Sequence, residues 1–187
     1  GQVVTVEIVD PPSGQAPPIG RVVEVLGEIG DPGMEIEIAV RKFDVPHQFS
    51  QELLREVAAL PDELRPADYR NRVDLRDVPM VTIDGEDARD FDDAVYCEML
   101  DPEKPAAGWR LLVAIADVSH YVKPGELLDA EAQARSTSVY FPRRVIPMLP
   151  EKLSNGLCSL NPGVDRLVLV ADMVIEAKGK IKAYQFY

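Results

Sequence analysis

Between Asp84 and Asp93 the chain places six acids in ten residues, Asp84, Glu86, Asp87, Asp90, Asp92 and Asp93, with Arg89 as the single offsetting charge. Carboxylates this close raise one another's pKa unless a cation sits among them. The flanks are unlike those of a solvated acidic tail: Val81, Thr82 and Ile83 precede the run, and Ala94, Val95, Tyr96 and Cys97 follow it. Both flanks read as buried strand, Met80 to Ile83 and Asp93 to Leu100. A core that anchors such a run holds hard oxygen donors together, the condition that favours Mg²⁺ or Mn²⁺. Acid-rich loops are also commonly just solvated, so spacing alone leaves both readings open.

With 187 residues, 46% of them hydrophobic, the chain can build one good core, with or without a small appended module. The longest apolar run, Leu111 to Ala116, is strand-sized, so no membrane span is expected. No basic-then-apolar leader is recognisable at the start, and a cytoplasmic location is expected. A net charge of −12 argues against nucleic-acid binding by the whole surface, but not by a local site. Cys97 and Cys158 lie in apolar surroundings and are expected to be reduced, buried thiols.

The expected fold class is α+β. Val3 to Val9, Ile19 to Leu26 and Met34 to Val40 read as three antiparallel strands, too few to close a barrel. At Ser50 the period changes: Leu53, Leu54, Val57 and Leu60 share a helical face that Ser50 can cap and Pro61 stops. Residues 61–79 read as a charged linker wrapping onto the next unit. Trp109 to Asp117, apolar on both faces, is expected to be a central strand, with Trp109 in the core. Glu126 to Arg135 fits a helix, Val139 to Pro150 an irregular segment, and Leu167 to Ile175 and Ile181 to Tyr187 two more strands. The resulting domain boundaries are 1–49, 50–79 and 80–187.

Cleaving a phosphodiester requires neutralised non-bridging oxygens and an activated water, which two divalent ions about 3.5–4 Å apart provide. Asp84 from one strand and Asp90, Asp92 and Asp93 from the next can converge on such a pair. Neighbours in extended backbone point to opposite sides, so Asp92 and Asp93 need not share a task. The EF-hand spacing is not met, and no Walker A loop, GxSxG elbow or CxxC pair is present.

The string VTIDGEDARDFDDAV, Val81 to Val95, resembles the signature of the RNB catalytic domain of the ribonuclease II family. The resemblance continues in order through IADVSHYV (115–122), TSVYFP (137–142), VIPMLPEKLSNGLCSLNP (145–162) and Asp165–Arg166. It extends over 80–187, and residues 1–50 then resemble the end of the cold-shock β-barrel that precedes this domain. The fold so implied is a partial cold-shock-type barrel followed by the N-terminal part of a mixed α/β RNB domain.

The resemblance implies a processive, Mg²⁺-dependent 3′→5′ exoribonuclease, with Mn²⁺ a possible substitute, that acts on RNA and releases nucleoside 5′-monophosphates. It assigns Asp84, Asp90 and Asp93 to metal and Asp92 to the chemical step, leaving Glu86 and Asp87 in supporting or solvated positions. Tyr140 matches the family's base-stacking tyrosine; from its surroundings alone a core tyrosine is the competing reading. Arg143 and Arg144 are candidates for RNA phosphates, or a solvated pair. Ser154 and Asn155 are candidates for the RNA backbone or simply turn residues, and His120 reads as structural. The family's later RNB half, with its phosphate-contacting arginine, and its C-terminal oligonucleotide-binding barrel have no counterpart here. The sequence is therefore expected to be a piece that is inactive alone, with a non-catalytic RNA-binding or regulatory module as the alternative.

Overall fold

A computed structural model describes every residue except Gln15 and Asp87. The described residues form two compact units, Gly1–Gln48 with Ser138–Ile146, and Phe49–Thr137 with Pro147–Tyr187.

In the first unit β1 (Gln2–Asp10) and β2 (Ile19–Glu28) pair antiparallel, with register shifts along the ladder. The expected third strand is a helix instead, α1 (Met34–Lys42). Met34, Ile36, Ile38 and Val40 alternate, but the same stretch has Glu35 and Glu37 in a first turn and Arg41 and Lys42 in a last turn, which suits the helix dipole. Met34 and Val40 are buried where α1 packs against β2. Gly27 adopts φ +141°, and a Cβ there would lie 2.6 Å from Asp31 Oδ2 and 3.0 Å from Met34 Cε. The glycine thus lets the turn and the helix close onto the end of β2. Arg41 returns from α1 to Glu24 of β2, with Nη2 2.7 Å and Nε 3.2 Å from its carboxylate. The hairpin β5 (Val139–Phe141) and β6 (Arg144–Ile146) completes this unit, and Arg144 pairs with Glu37 of α1.

The second unit contains α2 (Gln51–Ala58), whose Ser50 hydroxyl accepts from the Leu53 N–H at 3.1 Å, the capping bond its sequence calls for. Its sheet has the order β3 (Asp93–Met99), β4 (Trp109–Ala116), β7 (Val168–Ile175), β8 (Ile181–Phe186), antiparallel throughout. β4 is central, in keeping with its apolar composition.

In register, Ala94, Ala114 and Val170 form one row across the sheet, and Tyr96, Leu112 and Asp172 the next. Leu75 and Val78 of the linker and Met80 just after it pack over Leu112, Ala114 and Val170, as does Tyr187. A second core gathers Leu53 and Val57 of α2, Leu128 of α3 (Leu127–Arg135), and Leu149, Leu153, Leu157 and Cys158 around a π-helical segment, Lys152–Leu157. Arg135 is buried beside this core, its guanidinium 3.7 Å from the centre of the Phe49 ring and its Nη1 donating to the Pro147 carbonyl at 3.2 Å.

Three further expectations are corrected. Met80 to Ile83 is not a strand: a single bridge joins Val81 to Val95, and Ile83 is 82% exposed. Backbone that turns away after one bridge has no ladder to continue. Trp109 is 39% exposed, because it begins β4 at the sheet's end rather than its middle. Cys97 is exposed, since alternation along β3 places it opposite buried Ala94, whereas Cys158 is buried. No helix among the described residues is long and apolar enough to cross a membrane.

Candidate functional site

The acidic run is a loop closed at its base and pinned along its return. Val81 and Val95 exchange backbone hydrogen bonds of 3.0 and 2.8 Å, and Ala88 N–H closes a turn on the Gly85 carbonyl at 3.0 Å. The returning backbone is then held at successive residues. Phe91 N–H donates to Ser159 Oγ at 3.0 Å, Leu160 N–H donates to the Phe91 carbonyl at 2.9 Å, and Ala116 N–H donates to the Asp92 carbonyl at 2.9 Å. Asp93 then enters β3 opposite Ile115. The end of the central strand and the residues after the π-helical segment therefore fix the backbone on which Asp90, Asp92 and Asp93 stand.

Ser159 is fully buried, its Oγ lying 3.3 Å from both the Arg89 carbonyl and Asn161 Oδ1. Its own carbonyl and that of Gly156 accept from Arg166 Nε, each at 2.9 Å. Asn161 Nδ2 donates to the Asn155 carbonyl at 3.1 Å, so Asn155 belongs to this scaffold through its backbone. These residues lie within the motifs from Val145 to Arg166, whose letters do not show their task. A serine between apolar neighbours, Cys158 and Leu160, is the available signal, because a buried hydroxyl needs partners.

Asp92 is the electrostatic focus. Desolvation of its carboxyl pushes its pKa above the usual carboxylate range, and the negative charges of Asp90, Asp84 and Asp93 push it further. Asp84, Asp92 and Asp93 form no ion pair among the described residues. The donors are hard oxygens that match Mg²⁺ or Mn²⁺. Among the described residues, however, no three acids already stand as a ligand set, so a cation would have to draw the carboxylates together. Glu86 is exposed on the loop, and Asp87 lies outside the described residues.

The nucleic-acid candidates belong to the other unit. Tyr140 sits on β5 and is 65% exposed, Arg143 is exposed in the two-residue turn of the hairpin, and Arg144 is paired with Glu37. His120 lies 3.5 Å from Asp68 and packs edge-on against Tyr121, with ring centres 4.8 Å apart.

Residues 72–187 match the family model described as the RNB domain, and residues 1–50 match that of the cold shock domain. The chain is 54% identical over 187 residues to ribonuclease R of Escherichia coli (strain K12), covering all of this chain and 22% of that protein. It is 47% identical over 188 residues to ribonuclease R of Thermotoga maritima, again covering the whole chain and 26% of the relative. It thus spans about a quarter or less of these relatives. Among solved structures, Mycoplasma genitalium RNase R in complex with double-stranded RNA superposes with a TM-score of 0.91 at 32% identity, covering 100% of this chain and 32% of that one. Yeast Ssd1, described as a pseudonuclease, shares the fold with a TM-score of 0.66 at 19% identity, covering 100% of this chain and 23% of that one. With its RNB match spanning more than half of its residues and a cold shock match before it, the chain belongs to the RNB domain family.

Proposed function

We propose that this chain carries the metal-holding loop of a 3′→5′ exoribonuclease that degrades RNA to nucleoside 5′-monophosphates. The observation that carries the reading is the placement of Asp92 on pinned backbone with Asp84, Asp90 and Asp93 close enough to raise its pKa. Similarity to ribonuclease R over the whole chain supports the reaction class. In this reading Asp84, Asp90 and Asp93 hold Mg²⁺, or Mn²⁺ in its place, and Asp92 serves the chemical step. The bound cation supplies charge neutralisation at the phosphate and a water of lowered pKa. The loop contributes orientation: its carboxylates are aimed from fixed backbone, and Asp92 remains separate from the ligands to face the reacting phosphate.

Tyr140 offers an exposed aromatic face on which a base can stack whatever its sequence, as an exonuclease without sequence preference requires. Arg143, at the tip of the same hairpin, is placed for an RNA phosphate. A cytoplasmic setting accords with RNA as the substrate. The isolated 187 residues are expected to be inactive or nearly so, since the relatives are several times longer.

The test is labelled RNA with Mg²⁺ and the full-length protein. Mononucleotide release is expected from the wild type and its loss from Asp92→Asn, with RNA binding retained. Unchanged release by Asp92→Asn would sink the reading. A non-catalytic RNA-binding or regulatory module is the second reading, since the exposed Tyr140 and Arg143 of the hairpin would serve RNA binding without cleavage. It predicts RNA binding without release in the wild type itself.

A further inference from the structure

We infer that Ser159 is a positioning residue for the metal-binding loop, a role that rests on the reading of Asp84, Asp90 and Asp93 as ligands. Its hydroxyl meets the loop on both sides of Asp90. It accepts from Phe91 N–H at 3.0 Å, and its single proton faces the Arg89 carbonyl and Asn161 Oδ1, each at 3.3 Å, so Phe91 is held firmly and Arg89 shares the hydroxyl's proton with Asn161. The neighbouring Leu160 N–H donates to the Phe91 carbonyl at 2.9 Å, which completes a two-sided clamp on that residue.

The clamp is itself anchored. Arg166 Nε grips the carbonyls of Gly156 and Ser159 at 2.9 Å each, at the end of the π-helical segment. That segment is seated in the core through Leu153 and Leu157. π-Helical turns are uncommon and recur at functional sites, where the wider turn re-aims side chains and backbone. Here the turn delivers a fully buried hydroxyl to a contact 68 residues away in sequence. Four mutually repelling carboxylates would otherwise splay apart, and rigid backbone on both sides of Asp90 limits that freedom.

The role differs from general packing in what it controls. Removing a partner that orients a ligand costs typically about 10–100-fold in metal affinity. Mn²⁺ is therefore the probe, titrated into the full-length protein and followed by the electron paramagnetic resonance signal of the free ion. Ser159→Ala is expected to raise the Mn²⁺ dissociation constant by about tenfold or more. The Mn²⁺ concentration for half-maximal RNA hydrolysis should shift equally, and kcat at saturating Mn²⁺ should stay within about threefold of wild type, RNA binding in EDTA being unchanged.

Asp93→Asn is the control for the reading itself. If Asp93→Asn weakens Mn²⁺ binding and Ser159→Ala does not, the inference is overturned while the ligand assignment stands. If Asp93→Asn has no effect on Mn²⁺, both fall. Should Ser159→Ala fail to fold, Ser159→Cys carries the test, because a thiol is a weaker donor and acceptor of similar size. An intermediate Mn²⁺ affinity supports the inference, and wild-type affinity overturns it.

Discussion

Arg110 of β4 grips Asp172 of β7 with two parallel hydrogen bonds, Nε to Oδ1 at 3.0 Å and Nη2 to Oδ2 at 2.8 Å, a diagonal link between the two central strands. The Arg110 guanidinium holds the Asp172 carboxyl below the usual carboxylate range, against desolvation, which acts the other way. Gln185 of β8 adds a third donor at 3.2 Å, so one carboxylate binds three strands together.

A carboxylate whose pKa is depressed by folding stabilises the native state above its unfolded pKa, about 3.9. That contribution is lost as pH falls through the lower folded value. Asp172→Asn is expected to cost about 1–2 kcal/mol at pH 7, less than a wholly buried pair because the Arg110 side chain is 40% exposed. Urea unfolding at pH 7 and at pH 3 checks this, and the gap between wild type and variant should narrow at the lower pH. A constant gap would show that the charge is not the cause.

Asp92→Asn and Asp93→Asn are expected to fail differently. In the full-length protein, loss of a ligand at Asp93 should raise the divalent ion requirement, so that added Mn²⁺ recovers part of the activity. Loss of Asp92 should lower kcat by about 10²–10⁴-fold, the range for a group acting in the chemical step, without recovery at high Mn²⁺. Steady-state hydrolysis across a Mn²⁺ series measures both, and identical rescue curves would remove the distinction.

The two arginines of the hairpin should also separate. Arg143→Ala is expected to weaken RNA binding uniformly across sequences and to reduce the slope of log affinity against log salt by about 1. Arg144→Ala should leave that slope near the wild-type value, since Glu37 already engages its charge, and should cost at most about 1 kcal/mol of stability. Fluorescence anisotropy over a KCl series decides between equal and unequal slopes.

One thiol of two should react in the native protein. Cys97 is exposed, while burial, reinforced by the charges of Asp117 and Asp92, pushes the Cys158 thiol up to about 12. An aromatic disulfide reagent is expected to label Cys97 at once and Cys158 only in denaturant. Two rapidly reacting thiols in the native state would contradict this burial pattern.

Several elements are legible in short stretches of chain. The apolar run at β4 announced a central strand, Ser50 announced a helix start, and the ordered motifs from Val81 onward announced the RNB family. These are local signals: periodicity, a cap, a spacing. Where local signals tie, tertiary contacts decide. Met34 to Val40 alternates like a strand yet is charged like a helix, and packing of Met34 against the end of β2 made it a helix. Val81 to Ile83 has the composition of a strand but finds only one bridging partner. Likewise the acids were legible as a cluster, whereas the hydroxyl that steadies them was not. Ser159 and Phe91 meet only because the π-helical segment and β4 bring distant backbone to one place, and no pattern of neighbours along the chain encodes a hydrogen bond across 68 residues.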